Sequence, residues 1–274
     1  MLDVNNIEEW RKIDSPFQNS EDIPLLITKL RNTLDKEILV ELTSEYMYHQ
    51  GSIYESTFAV FPHLIEICES CKDLNYRLET LLYLSVDLAG FNGETELISI
   101  FENSKCTLET VSDIICSFKE SLKKLNPIAE SLMEFIVEKE EYEKRYFLLA
   151  LAVANEIYQV SAILLRYSGN EEYECCCPNC KEFFFLWNED GELFLYKEDP
   201  VFKKGQSKYT VQSSSLSEAD LSRQIIADKN YELLSYYIEK LNIESLKTTI
   251  NYLFGSTICP HCKTKLDIFE NIAY

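Results

Sequence analysis

The chain has 274 residues, of which 46% are apolar and 26% charged. That balance supports a packed core and excludes disorder as the main state. Seven Gly and seven Pro are too few for a loop-rich all-β or collagen-like fold, and a net charge of −20 opposes direct binding to a phosphate backbone.

The acidic excess is uneven. Residues 1–174 hold 32 acids and 15 bases, or −17; residues 175–274 hold 14 and 11, or −3. Such a surface attracts and steers in a basic protein, although acidity also serves simply to keep a protein in solution. No apolar run approaches the ~18–20 residues needed to cross a membrane. The opening MLDVNNIEEW has neither a basic nor an apolar signal region. A cytoplasmic protein without membrane contact is expected.

Residues 1–170 read as successive helices. Leu25, Leu26, Leu30 and Leu34 give helical spacing to 23–34, and Ile38, Leu39, Leu42 and Tyr46 give it to 37–48. Gly51 suits a helix stop, and Ser52 with Glu55 suits a capping box opening the next helix. That helix is expected over 53–71, kinked or broken at Pro62. Further helices are expected at 76–88, 95–101, 108–122, 128–138 and 142–157, the last apolar enough to be central. Helix pairs at roughly 35–45 residues each suggest an α-solenoid; a compact irregular bundle is the competing arrangement.

From Cys175 the texture changes. Two aromatic runs flank Glu189-Asp190-Gly191, a β-hairpin signal. A looser stretch with one short strand follows, then helices at 218–228, 231–241 and 244–254, and a last strand at 265–269. The chain thus divides into a helical repeat domain, 1–170, and a region 171–274 with helices inserted at about 216–255.

Ten cysteines in a chain read as cytoplasmic suggest metal or core roles before disulfides. Cys177-Pro-Asn-Cys180-Lys and Cys259-Pro-His-Cys262-Lys are matched knuckles. A two-residue gap lets both thiolates reach one ion, so the four would close a tetrahedral structural zinc site with no open position for catalysis. Residues 181–258 separate them, far more than the about 15–20 residues of common zinc sites; the hairpin and inserted helices account for the difference. Cys175 and Cys176 are alternatives to Cys177, but Cys177 alone has the two-residue spacing to Cys180. His261 is expected to point to solvent. Cys68 and Cys71 form another C-x-x-C, within a helix, where core packing competes with a redox or metal role.

No phosphate-binding loop, dinucleotide fingerprint, nucleophile elbow or zinc-protease helix is present. His49 and His63 could meet across a corner, joined by Glu45 or Glu66, as a general-base or metal cluster. Against this, His49 suits a helix C-terminus and His63 follows Pro62. Tyr48, His49, Gln50 and Tyr54 could present a partner-binding surface or simply brace the corner.

The segment YHQGSIYESTFAVFPHL, residues 48–64, resembles bacterial HEAT-repeat-like proteins through His49, Gln50, Gly51, Tyr54, Thr57, Pro62 and His63. The closing YLFGSTICPHCKTKLDIFENI is similar to the final zinc knuckle of some members. The resemblance implies a right-handed α-solenoid and, because such proteins often occur beside bacterial toxin loci, an immunity or other protein-binding role. Lys181 and Lys263 stand where such ribbons often carry Gly. The resulting expectation is a mainly α, HEAT-like protein with a C-terminal four-cysteine zinc ribbon, binding a basic, nuclease-type toxin through its acidic helices. The rivals are a zinc-ribbon adaptor of nucleic-acid machinery, with Lys203, Lys204 and Lys208 as its basic cluster, and a hydrolase using His49 and His63.

Overall fold

The computed structural model describes residues 1–167, 172–214 and 225–273. The described chain is mainly helical with small antiparallel sheets, and none of its helices is long and apolar enough to cross a membrane. It forms two compact units, Met1–Ile136 with Leu149–Ala162, and Val137–Leu148 with Ile163–Tyr274. The divisions between them fall within three helices, at 136/137, 148/149 and 162/163.

The first unit runs through α1 (Ile7–Trp10), α2 (Ile23–Thr33), α3 (Lys36–Glu41), a π-helical turn (Leu42–Met47), β1 (Tyr48–His49), β2 (Ser52–Ile53), α4 (Glu55–Ser70), α5 (Leu74–Asp87), α6 (Glu94–Phe101), α7 (Leu108–Leu122) and α8 (Leu125–Val137). The helices α9 (Glu141–Ala154) and α10 (Tyr158–Arg166) contribute to both units. Asp35, Asp73 and Thr107 cap α3, α5 and α7 through side-chain oxygens, each satisfying an otherwise orphaned N–H.

The centre of this unit is α4. Every residue from Glu55 to Cys68 except Glu66 is buried, and the helix packs against α2, α5, α7 and the π turn. Burial on all faces marks a helix enclosed by its neighbours. Phe58 and Phe61 meet Phe118 of α7 at 4.9 and 5.1 Å between ring centroids. Such pairs contribute about 0.5–1.5 kcal/mol each beyond area burial. Pro62 lies within α4, and the helix continues through it rather than breaking; the tight enclosure holds it despite the missing donor.

The corner before α4 differs from the sequence expectation. Gly51 does not stop a helix. The helical chain ends at Met47, and Tyr48↔Ile53 and His49↔Ser52 form a two-residue hairpin. Its turn residues Gln50 and Gly51 have φ of 48° and 83°, the left-handed pair such a turn demands. The same conformational freedom of Gly serves a helix stop or a hairpin, so the residue alone does not choose. Ser52 lies in β2 and is not a cap. The Tyr54 N–H donates instead to Thr57 Oγ1 at 2.9 Å, while the Ser56 and Thr57 hydroxyls donate to the Tyr46 and Met47 carbonyls. The threonine of the motif thus joins the start of α4 to the end of the π turn.

Asp87, in the last turn of α5, is buried, and its Oδ2 has no hydrogen-bond partner. Burial pushes its carboxyl well above the usual carboxylate range. A group raised in the folded state favours folding fully below its unfolded pKa and loses that contribution as pH rises through the folded value. Asp87→Asn is therefore expected to stabilise the protein by about 1–3 kcal/mol at pH 7, with the gain vanishing near pH 3.5. Denaturant unfolding of both proteins at the two pH values checks this.

The second unit contains β3 (Glu172–Cys176), β4 (Phe183–Glu189), β5 (Glu192–Tyr196), β6 (Tyr209–Thr210), α11 (Ile225–Leu241), α12 (Glu244–Leu253), β7 (Ser256–Ile258), β8 (Lys265–Asp267) and α13 (Ile268–Asn271). The order β3-β4-β5-β6 is antiparallel throughout, and the expected hairpin turns at Asp190-Gly191. Leu186, Leu193 and Leu195 are buried in this sheet, with α12 packed against β5. A single helix, α11, spans positions where two were expected; the part of the first at 218–224 lies outside the described residues. The strands β3 and β7 were not expected, and the last strand ends at Asp267, where α13 begins.

Candidate metal centre

Each knuckle is the turn of an antiparallel strand pair. Cys176↔Phe183 closes β3 and β4 around the first, and Ile258↔Lys265 closes β7 and β8 around the second. The backbone is the same in both. The Cys177 N–H donates to the Glu182 carbonyl at 2.9 Å, and the Cys259 N–H to the Thr264 carbonyl at 2.9 Å. The Lys181 N–H returns to the Cys177 carbonyl at 3.0 Å, and the Lys263 N–H to the Cys259 carbonyl at 3.1 Å. Lys181 and Lys263 take φ of 61° and 66°. The lysines therefore adopt the left-handed conformation that glycine would adopt freely, at a cost of about 1–2 kcal/mol each.

The fold brings the two knuckles face to face. Cys177 Sγ lies 3.6 Å from Cys262 Sγ, and Cys180 Sγ lies 3.7 Å from Cys259 Sγ. All four sulfurs are within 4.8 Å of one another, the only group of three or more such ligand side chains among the described residues. Metal–thiolate bonds of about 2.3 Å in a regular tetrahedron put sulfurs about 3.8 Å apart. The four cysteines thus fit one metal ion, with Cys177 and Cys259 buried and Cys180 and Cys262 half-buried.

The electrostatics favour the same reading. The Thr264 hydroxyl, then the Asn179 amide and the Thr264 backbone N–H, draw the Cys262 thiol down to about 5. At Cys180 the Glu182 backbone N–H favours the thiolate, but burial and the three neighbouring thiols outweigh it and push the group up to about 12. One sulfur ionises readily and another resists, because four negative sulfurs at this spacing repel. A divalent cation among them removes that conflict. Asn179 also donates to Thr264 Oγ1 at 3.2 Å, tying one knuckle to the other. Neither residue was singled out from sequence; their positions inside and just after a C-P-x-C were the available signal.

The other cysteines lie outside the cluster. Cys175 is buried opposite Phe184, and Cys176 is half-buried with its thiol toward the Cys177 carbonyl at 3.8 Å. His261 is exposed. Cys68 and Cys71 are buried thiols facing the Arg77 and Asp73 carbonyls, and burial pushes Cys68 up to about 12, the behaviour of core thiols.

The two histidines engage separate partners. His49, half-buried, meets the Phe17 ring edge-on at 4.9 Å. His63 is buried, its Nε2–H donating to the Leu2 carbonyl at 3.0 Å and its Nδ1 accepting from Arg31 at 2.9 Å. Glu66 pairs with Arg31 at 2.6 Å. Both ring nitrogens of His63 are thus committed to structure. Tyr48 and Tyr54 are half-buried and Gln50 exposed; burial, then Asp87, pushes the Tyr48 hydroxyl up. Of the basic cluster, Lys203 pairs with Glu198 and Lys208 with Glu189.

No known family model, curated protein or solved structure matches this chain.

Two predictions follow from these sites. Cys177→Ser or Cys259→Ser is expected to cost the second unit about 4–5 kcal/mol, whereas Cys176→Ser stays within about 0.5 kcal/mol; thermal unfolding with metal content measured in parallel checks this, and equal losses at Cys176 and Cys177 contradict the assignment. Burial, then the Arg31 guanidinium, holds the His63 imidazole down to about 4. Between that value and about 6.5 the unfolded chain binds the proton and the folded one does not, so stability falls as pH falls through this window, by about 3 kcal/mol. His63→Gln, which keeps a donor for Leu2, is expected to flatten the pH–stability curve there by that amount.

Proposed function

We propose that this chain is a non-catalytic protein-binding protein whose partner is a basic protein. The observation that carries this reading is the surface of the first helices. Glu21, Asp22, Asp35, Glu37, Glu41 and Glu45 are all exposed, and none lies in an ion pair among the described residues. Unneutralised acids raise the encounter rate with a positively charged partner and select against phosphate backbones. The commitment of His63 to Leu2 and Arg31 leaves the suggested hydrolytic pair without its second base.

The ion held by Cys177, Cys180, Cys259 and Cys262 is zinc, in a structural role: four thiolates suit zinc and leave no open position for water. The likeness of residues 48–64 to HEAT-repeat-like proteins supports an immunity protein that covers the positive surface of a nuclease-type toxin in the cytoplasm. A HEAT-like stacking of helix pairs belongs to this proposal.

The test is recovery of the tagged protein from its native cell at low and high salt. A stoichiometric basic protein released by salt is the expected result, with its recovery at low salt reduced when Glu37, Glu41 and Glu45 are changed to Gln. Bound nucleic acid, or a partner indifferent to salt and to those substitutions, contradicts it.

A further inference from the structure

Beside the metal centre, the second unit holds two strand edges that start to pair and then separate. Gln212 and Ser256 form one antiparallel bridge, with N–H···O bonds of 2.8 and 3.0 Å in the two directions. Gly255 makes it possible: a β-carbon there would lie 2.1 Å from the Gln212 carbonyl oxygen. Continued, the ladder would next bond Thr210 to Ile258. It does not. The Thr257 hydroxyl donates to the Thr210 carbonyl at 2.8 Å in place of a backbone bond, and beyond this point β6 and β7 border a groove of about 570 Å³.

The register fixes which groups face the groove. In an antiparallel ladder, a residue's N–H and C=O point to the same side and alternate along the strand. Ser256 bonds Gln212, whereas Gly255 and Cys259 bond the β8 side. The N–H and C=O of Ile258 therefore face away from β8, into the groove. By the same alternation the Thr210 N–H faces it from β6, because Val211 bonds Leu193 of β5. No backbone hydrogen bond joins these groups to another described residue.

The geometry points to this groove as a docking site for an extended acidic peptide that adds a strand to the open edge at Ile258. Main-chain pairing supplies affinity in such recognition, and alternate side chains supply specificity. The exposed Ile258 side chain and half-buried Tyr209 offer the peptide an apolar contact. Lys208 and Lys265 line the same groove. Each already meets one carboxylate, Glu189 at 2.8 Å and Asp267 at 2.6 Å, yet an ammonium has three donors. The lysines also decide the occupant. A second copy paired edge to edge would bring lysine toward lysine, the usual guard against self-association, whereas an acidic strand meets complementary charge. This inference does not depend on the proposed function, which concerns the acidic helices of the other unit.

A displayed library of random heptapeptides panned against the full chain tests it, with Ile258→Pro as the depleting control. Proline at 258 removes the groove-facing donor without touching the β7–β8 ladder. Expected is enrichment of acidic, β-branched sequences whose dissociation constant rises at least tenfold on Ile258→Pro, on Lys208→Gln with Lys265→Gln, and when alternate peptide nitrogens are methylated. Metal content and melting temperature establish that each variant is folded, and the lysine pair reads the site should the proline variant fail that check. No enrichment over the control, enrichment of basic sequences, or equal binding to the folded variants overturns the proposal.

Discussion

Four sulfur atoms within 4.8 Å of one another cannot all carry charge without a cation among them, and the architecture of the second unit depends on how that constraint is met. The knuckles are far apart in sequence, yet their backbones are the same to within 0.1 Å in the hydrogen bonds that shape them. Each projects one buried and one half-buried sulfur. The strands flanking the second knuckle are short: β7 and β8 span three residues each. A two-stranded ladder of that length is at best marginal in water, so cross-linking through a metal is the natural source of its stability. Asn179 and Thr264 then orient and tune the cluster from just outside it.

The first unit rests on a different device. Its central helix is enclosed on every side, and its start is fixed by hydroxyls rather than by a conventional capping box. Ser56 and Thr57 reach back to the carbonyls that the π turn leaves at Tyr46 and Met47. His63, the residue after Pro62, joins Leu2 to Arg31 through a neutral ring. Residues that looked chemically suggestive in sequence thus have identifiable structural work. Asp87 instead carries a cost: a buried carboxyl oxygen without a partner, which the surrounding apolar packing must offset.

What was legible in the sequence was whatever depends on local spacing. The C-P-x-C pairs, the Asp-Gly hairpin and the apolar periodicity of α2 each encode geometry within a few residues. The elements that escaped depend on distant partners. The strand β3 reads Glu-Tyr-Glu-Cys-Cys and becomes a strand because Phe183–Trp187 lies beside it; β7 reads Ser-Thr-Ile and pairs with β8 across the knuckle. Gly51 was ambiguous because a positive φ serves a helix stop and a hairpin equally. The two-residue gap points to Cys177 over Cys176, and Cys177 is the one whose sulfur lies in the four-sulfur group, whereas the contributions of Asn179 and Thr264 arise only when the knuckles meet.

The central claim is that one ion bound by Cys177, Cys180, Cys259 and Cys262 holds the second unit together. Amide hydrogen exchange, followed before and after addition of a strong chelator, tests it most directly. Rapid exchange at the amides of Cys177, Cys259 and the strands flanking them, with α4 still protected, is the predicted result. Unchanged protection of those strands in fully chelated, metal-free protein would contradict the account.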